Sequence, residues 1–128
     1  MRILIVDDSP DIAELLGEII SDMGFGISVV NSGQAALDEL NNKGPFNMVL
    51  VDWKMPEMSG LDLIKSIRSE AKYNDMQIIM ITGMTDLEDV SLALESGANE
   101  YLMKPFSQEM VLDKLRLCGV DLGDQPSA

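Results

Sequence analysis

Polar residues follow several short apolar segments of this chain, and their types would suit chemistry on a phosphoryl group. They are Asp7, Asp8, Asp52, Thr82 and Lys104. Each of them alone has a simpler explanation, such as capping a helix, forming a turn or lying in solvent. If the apolar segments form parallel strands, however, their carboxyl ends meet at one edge of a sheet. These side chains would then lie together.

Three carboxylates in such a group imply a bound cation. Asp7, Asp8 and Asp52 would repel one another and destabilise the fold unless a positive ion neutralised them. The chain has no histidine and a single cysteine, so its oxygen ligands indicate Mg²⁺ rather than zinc. A metal beside a carboxylate, a hydroxyl and a lysine is suited to phosphoryl transfer, which mainly requires positioning and charge neutralisation.

The elements that must position these residues are predicted from the apolar pattern. Short β-rich runs alternate with longer segments of helical period, which is typical of βα units and a parallel sheet. Strands are predicted at residues 2–6, 27–30, 48–51, 77–81 and 100–103. Most are apolar at consecutive positions, as expected when helices cover both faces of the sheet. The sequence therefore predicts an α/β, doubly wound, five-stranded parallel sheet with five helices.

The first helix has the clearest pattern. Its apolar residues recur at i, i+3 and i+4 spacing, and they are Ile12, Leu15, Leu16, Ile19, Ile20 and Met23. Ser9 is predicted to cap this helix, with Pro10 in its first turn and Gly24 at its end. The other helices are predicted at residues 34–41, 60–70, 86–95 and 108–117, and Thr85 with Glu88 resembles a capping box for the fourth.

The length and net charge of the chain limit the classes of function that it could have. The 128 residues suit one domain, predicted at residues 1–120, with a short polar tail at residues 121–128. The net charge of −13 disfavours direct binding to nucleic acid or anionic lipid. Apolar runs of about four residues are too short for membrane insertion, and no signal peptide is evident. The lone Cys118 agrees with a reducing compartment, so we expect a cytoplasmic protein, and a monomer.

Four motifs resemble those of response-regulator receiver domains. They are Val6-Asp7-Asp8, the segment Asp52-Trp53-Lys54-Met55-Pro56-Glu57-Met58-Ser59-Gly60, Ile81-Thr82-Gly83 and Lys104-Pro105-Phe106. They span nearly the whole chain in the order and spacing of that family, and residues 52–68 resemble its single-domain chemotaxis regulators in particular. The resemblance implies a flavodoxin-like sheet with strand order 2-1-3-4-5.

The resemblance also implies a role for each residue of the acidic group. Asp52 would be the phosphoacceptor. Asp8 would bind Mg²⁺ directly, Asp7 would act through a metal-bound water, and the main-chain carbonyl of Lys54 would be a further ligand.

A second set of implied roles concerns the phosphoryl oxygens and the response to phosphorylation. Thr82 and Lys104 would hold those oxygens, and Lys104 would precede a cis peptide bond to Pro105. Tyr101 matches an aromatic switch that turns inward when the threonine moves toward phosphate. Lys54 and Met84 would flank the acceptor and slow the loss of phosphate.

The function implied is a signalling switch rather than an enzyme. It would take a phosphoryl group from a histidine kinase or phosphotransfer protein and then change its binding to a downstream protein. One alternative is an aspartyl-phosphate phosphatase of the haloacid dehalogenase type, but that motif places a second acid two residues after the nucleophile, where this chain has Lys54. Another is a receiver fragment of a larger DNA-binding regulator, which the short tail disfavours.

Overall fold

The computed structural model describes residues 1–55, 57–83 and 87–120, with the side chain of Leu87 excepted. Five strands and five helices alternate along the chain. In order they are β1 (Arg2–Val6), α1 (Pro10–Ser21), β2 (Gly26–Val30), α2 (Gly33–Lys43), β3 (Met48–Asp52), α3 (Gly60–Arg68), β4 (Gln77–Thr82), α4 (Leu87–Ser96), β5 (Glu100–Met103) and α5 (Gln108–Leu117). A short 3-10 helix, Ala71–Tyr73, follows α3.

The strands form one parallel sheet in the order β2-β1-β3-β4-β5. This confirms the predicted doubly wound α/β fold and its strand order. In the register, Ile5 of β1 lies opposite Val29 of β2 on one side and Leu50 of β3 on the other. β1 and β3 are therefore central strands, and their carboxyl ends lie side by side.

Apolar residues on the two faces of the sheet form two separate cores. Helices α2, α3 and α4 cover one face, with Leu40, Leu63 and Val90 among the buried residues. Helices α1 and α5 cover the other, with Leu16 and Leu115. Alternate strand residues enter opposite cores because successive side chains in a strand point to opposite faces. This explains why consecutive strand positions are apolar.

The start of α1 differs from the prediction. Ser9 occupies the N-cap position but makes no side-chain capping bond, so its predicted capping role is wrong. The backbone N–H of Ser9 donates to Oδ1 of Asp7 at 2.8 Å, a bond that aspartates commonly accept from the amide two residues later. The helix ends at Ser21, and Gly24 follows it with φ of +90°. Leu15, predicted to be buried, is 42% exposed.

Most other boundaries lie within two residues of the predictions. β1, β5 and α5 have the predicted ends, and β2, β3 and β4 are each one residue longer. The 3-10 helix after α3 was not predicted. Thr85, the first residue of the predicted capping box, and Met84 lie outside the described residues.

A single arginine ties together the end of the molecule opposite the carboxyl edge of the sheet. Nε of Arg68 donates to the carbonyl of Gly97 at 2.9 Å, and its two terminal nitrogens donate to the carbonyl of Tyr73 and to Oδ1 of Asn99, each at 2.8 Å. The same Oδ1 accepts from the backbone N–H of Ile78 at 2.8 Å. Arg68 thus joins α3 to the loop before β5 and to the start of β4.

Candidate functional site

Asp7 lies at the carboxyl end of β1 and is almost fully buried, with 2% of its surface exposed. Its backbone N–H donates to the carbonyl of Val30 at 3.1 Å, which extends the pairing of β1 with β2. Its carboxylate accepts from Ser9 through Oδ1 only. Within the described part of the chain, Oδ2 is buried and has no hydrogen-bond partner. A buried carboxylate oxygen in this position is available to an additional donor or to a cation.

Asp52 is the last residue of β3 and is 5% exposed. It pairs in register with Ile81 of β4, and the next residue, Trp53, donates its backbone N–H to the carbonyl of Ile81 at 2.8 Å. Strand pairing therefore continues to Asp52 and fixes its backbone.

The three aspartates predicted as a group lie together. Each of Asp7, Asp8 and Asp52 offers a carboxylate oxygen, and these oxygens all lie within 4.8 Å of one another. Asp7 and Asp52 are buried, whereas Asp8 is exposed. The group therefore faces solvent on the side of Asp8, which gives an ion or a phosphoryl group a route to the two buried carboxylates.

Lys104, which directly follows β5, approaches this group. Its Nζ lies 3.2 Å from Oδ1 of Asp52 and 3.7 Å from Oδ2 of Asp7. Its backbone N–H donates to the carbonyl of Thr82 at 2.8 Å, and its peptide bond to Pro105 is cis, as the resemblance implied. Thr82 ends β4, is 3% exposed and follows the register partner of Asp52.

The electrostatics of the group favour added positive charge. Burial, followed by the negative charge of Asp7, raises the pKa of Asp52 from 3.8 to about 6, and Lys104 opposes this shift. Burial also raises the pKa of Asp7, against the effects of the Ser9 amide and Lys104. One ammonium therefore does not compensate two buried carboxylates. Oxygen donors, excess negative charge and an Oδ2 of Asp7 that accepts no hydrogen bond among the described residues together fit a hard divalent cation.

The loop after β3 brings α3 very close to Asp52 and Trp53. The backbone N–H of Gly60 donates to the carbonyl of Trp53 at 3.0 Å. A Cβ on Gly60 would stand 2.9 Å from Cα of Trp53 and even closer to the carbonyl oxygen of Asp52. In the same loop Glu57 adopts a left-handed conformation with φ of 68°. Lys54 lies here and is exposed. Only glycine fits at position 60.

Tyr101, the predicted switch, lies on β5 and is partly buried against the core under α4. Nζ of Lys114 lies 4.2 Å from the centre of its ring, a contact that sequence reasoning missed. Lys114 belongs to α5 and meets Tyr101 only through the tertiary fold, so no short-range pattern could have indicated it.

Comparison with known proteins identifies the family. Residues 3–116 match the profile of the response regulator receiver domain. The chain belongs to this family, as its motifs indicated. Receiver domains are signalling switches that generally bind Mg²⁺ at an acidic pocket, and Asp7, Asp8 and Asp52 form such a group in this chain. Among the described residues, no helix is both long and apolar enough to cross a bilayer.

Individual relatives include chemotaxis proteins. The chain is 34% identical over 118 residues to the chemotaxis protein CheY1 of Helicobacter pylori, covering 91% of this chain and 95% of that protein. It is 38% identical over 115 residues to the DNA-binding response regulator MtrA of Mycolicibacterium smegmatis, covering 90% of this chain and 49% of MtrA. The structure of the chemotaxis response regulator CheY4 of Vibrio cholerae superposes with a TM-score of 0.86 at 30% identity, covering 91% of this chain and 97% of that one.

Proposed function

We propose that this domain accepts a phosphoryl group on Asp52 from a histidine kinase or a phosphotransfer protein, and that the phosphorylated form changes its affinity for a downstream protein. The observation that carries the proposal is the buried pair of Asp7 and Asp52 with Lys104 at 3.2 Å from the acceptor oxygen. A nucleophilic carboxylate, an ammonium and a cation-binding group, all at one edge of the sheet, are the groups that phosphoryl transfer requires.

In the proposed reaction, a carboxylate oxygen of Asp52 forms a bond to phosphorus. The bond from phosphorus to the imidazole nitrogen of the donor breaks, and its electron pair leaves with the imidazole. Strand pairing fixes the backbone of Asp52, so the attacking oxygen is held in position before the donor arrives. Lys104 would stabilise the negative charge of the phosphoryl oxygens, and Thr82 would donate a hydrogen bond to one of them.

The chain's own oxygen donors would hold Mg²⁺. These are the carboxylates of Asp8 and Asp52, Asp7 acting through water, and the main-chain carbonyl of Lys54. The ion would supply charge neutralisation for the phosphoryl oxygens. Oδ2 of Asp7, which accepts no hydrogen bond among the described residues, and the exposed Asp8 support this assignment.

The proposed signal leaves the site through Thr82 and Tyr101. Thr82 ends β4, and its neighbour in register, Met103, lies two residues after Tyr101 on β5. Movement of the threonine toward phosphate would make room for the ring of Tyr101 to turn inward, which would shift the population toward a second surface around β5. The output is a partner protein rather than nucleic acid, since a net charge of −13 repels phosphate backbones.

We propose that the protein acts as a monomer in the cytoplasm and that its receiver domain comprises residues 1–120. The family match favours the signalling switch over the phosphatase alternative.

The test of the proposal is labelling with a small phosphodonor such as acetyl phosphate in the presence of Mg²⁺, followed by intact-mass measurement. We expect the wild type to gain one phosphoryl group per chain. Adding EDTA before the donor should prevent this labelling, and Asp52→Asn should not be labelled. Asp113→Asn is the matched control, because Asp113 lies on the exposed side of α5; it should label like the wild type. Labelling of Asp52→Asn at the wild-type level would show that the acceptor is another residue.

A further inference from the structure

Lys114, on helix α5, contacts the ring of Tyr101, the proposed switch residue on β5. β5 is the edge strand of the sheet, with α5 on one face and α4 on the other. Tyr101 packs on the α4 face. Lys114 extends from α5 so that its Nζ stands 4.2 Å from the centre of the tyrosine ring. The lysine therefore crosses the open edge of the sheet.

Glu100 fixes the ammonium in this place. Its Oε1 lies 3.0 Å from Nζ of Lys114 and also accepts the backbone N–H of Tyr101 at 3.1 Å. One carboxylate oxygen thus ties the ammonium to the backbone of the residue whose ring it covers. The side chains of Glu100 and Lys114 are each 21% exposed, so solvent screens this arrangement less than it would an ordinary surface pair.

An ammonium over an aromatic ring is attracted to the electron-rich face of that ring. The contact is made with the ring of Tyr101 in its partly buried position against the core. If the ring turns inward on phosphorylation, it leaves an ammonium that Glu100 keeps in place. The contact therefore stabilises one of the two states and not the other, which is the condition for biasing a two-state equilibrium.

We infer that Lys114 is a positioning residue that holds Tyr101 in the unphosphorylated arrangement and so raises the threshold for switching. This inference rests on the proposed function, because it requires that Tyr101 moves. Cation–π contacts at partly exposed sites correspond to a factor of about two to five in an equilibrium constant. Loss of the contact should favour the active arrangement by that factor.

The experiment compares the wild type with Lys114→Met and Lys114→Arg. Methionine retains much of the apolar stem without the charge, and arginine retains a cation that can stack on the ring. Affinity for beryllofluoride, a phosphate mimic, is measured in Mg²⁺ through the fluorescence of Trp53. We expect Lys114→Met to bind the mimic about two to five times more tightly, and Lys114→Arg to bind it with an affinity close to that of the wild type.

Fluorine NMR of protein labelled with fluorotyrosine reports the ring itself. The chain has two tyrosines, and Tyr73→Phe assigns the resonances. In the absence of the mimic, Lys114→Met should shift the resonance of Tyr101 and leave that of Tyr73 in place. Urea unfolding of each variant verifies that the fold is retained.

The outcomes separate the two proposals. An unmoved Tyr101 resonance in Lys114→Met, or unchanged affinity for the mimic despite a moved resonance, overturns the role of Lys114 and leaves phosphorylation of Asp52 intact. If beryllofluoride binds the wild type but leaves its Tyr101 resonance unchanged, the tyrosine is not the switch, and both that part of the proposed function and the role of Lys114 are wrong.

Discussion

The ammonium of Lys104 lies 3.2 Å from Oδ1 of Asp52 at the carboxyl edge of the sheet, although Asp52 ends β3 and Lys104 follows β5. This cation also faces Asp7, at 3.7 Å, so it is shared between two buried carboxylates. The site therefore carries uncompensated negative charge, and burial raises the pKa of Asp52 to about 6. The first two predictions follow from this imbalance.

Asp52→Asn should stabilise the metal-free protein near neutral pH. A carboxyl whose pKa is raised on folding binds its proton more tightly in the folded state, so stability falls as pH rises from about 4 to about 6. Each pKa unit corresponds to about 1.4 kcal/mol, so the shift from 3.8 to about 6 corresponds to about 3 kcal/mol. Urea unfolding in EDTA at about pH 7.5 should show the variant to be more stable by up to that amount.

The pH dependence provides the control for this prediction. Below about pH 4 the carboxyl is protonated in both folded and unfolded states, so the advantage of the variant should disappear. If the difference in unfolding free energy between the two proteins stays constant from about pH 4 to about pH 7.5, the pKa of Asp52 is not raised on folding.

Mg²⁺ should stabilise the folded protein because it neutralises the cluster of Asp7, Asp8 and Asp52, which is assembled only in the native state. At a concentration 100 times its Kd, a ligand of this kind stabilises by about 2.7 kcal/mol. Thermal melts with and without Mg²⁺ measure the effect. Asp8→Asn should respond less to the ion, and Asp113→Asn on the exposed side of α5 should respond fully. An undiminished response in Asp8→Asn would remove Asp8 from the binding site.

Gly60→Ala should destabilise the fold by about 1–3 kcal/mol, because the added methyl group would press on the backbone of Asp52 and Trp53. Equilibrium unfolding measures this loss. Gly83→Ala is the matched control, since a Cβ at Gly83 meets no atom within 4 Å in the part of the chain that the structure describes. Equal stability losses in the two variants would mean that close approach at Gly60 is unimportant.

Arg68→Lys should destabilise the protein by about 2–3 kcal/mol, because one ammonium cannot replace the three nitrogens that bind Gly97, Tyr73 and Asn99. The comparison is Arg116→Lys, whose exposed pair with Asp113 should contribute less than about 0.5 kcal/mol. Urea unfolding measures both losses. Similar urea midpoints for the two variants would show that the partly buried hydrogen bonds of Arg68 stabilise the fold no more than the exposed pair of Arg116 does.

Much of the fold could be predicted because it depends on local apolar pattern. The strand ends were accurate at β1 and β5, where Asp7 and Lys104 directly follow the last apolar residue of the strand. The acidic group was also predictable, because parallel strands place their carboxyl ends at one edge and so bring Asp7 and Asp52 together whatever the details of packing.

The remaining features depend on contacts between distant residues. The ring of Tyr101 meets Lys114 through the packing of α5, and Arg68 reaches Gly97 across 29 positions of sequence. Ser9 has a residue type and a position that suit a helix cap, but its side chain makes no capping bond. Such outcomes are decided by competition among partners that the sequence does not place in space.

The length of β5 bears on how copies of this protein meet one another. An unpaired strand at the edge of a sheet is a template for adding a strand from another chain. Here that edge is four residues long, and the charged side chains of Glu100 and Lys114 lie beside it. Two copies, each with a net charge of −13, would also repel as they approached. The ion pair beside the tyrosine ring therefore also disfavours the addition of another strand at the β5 edge.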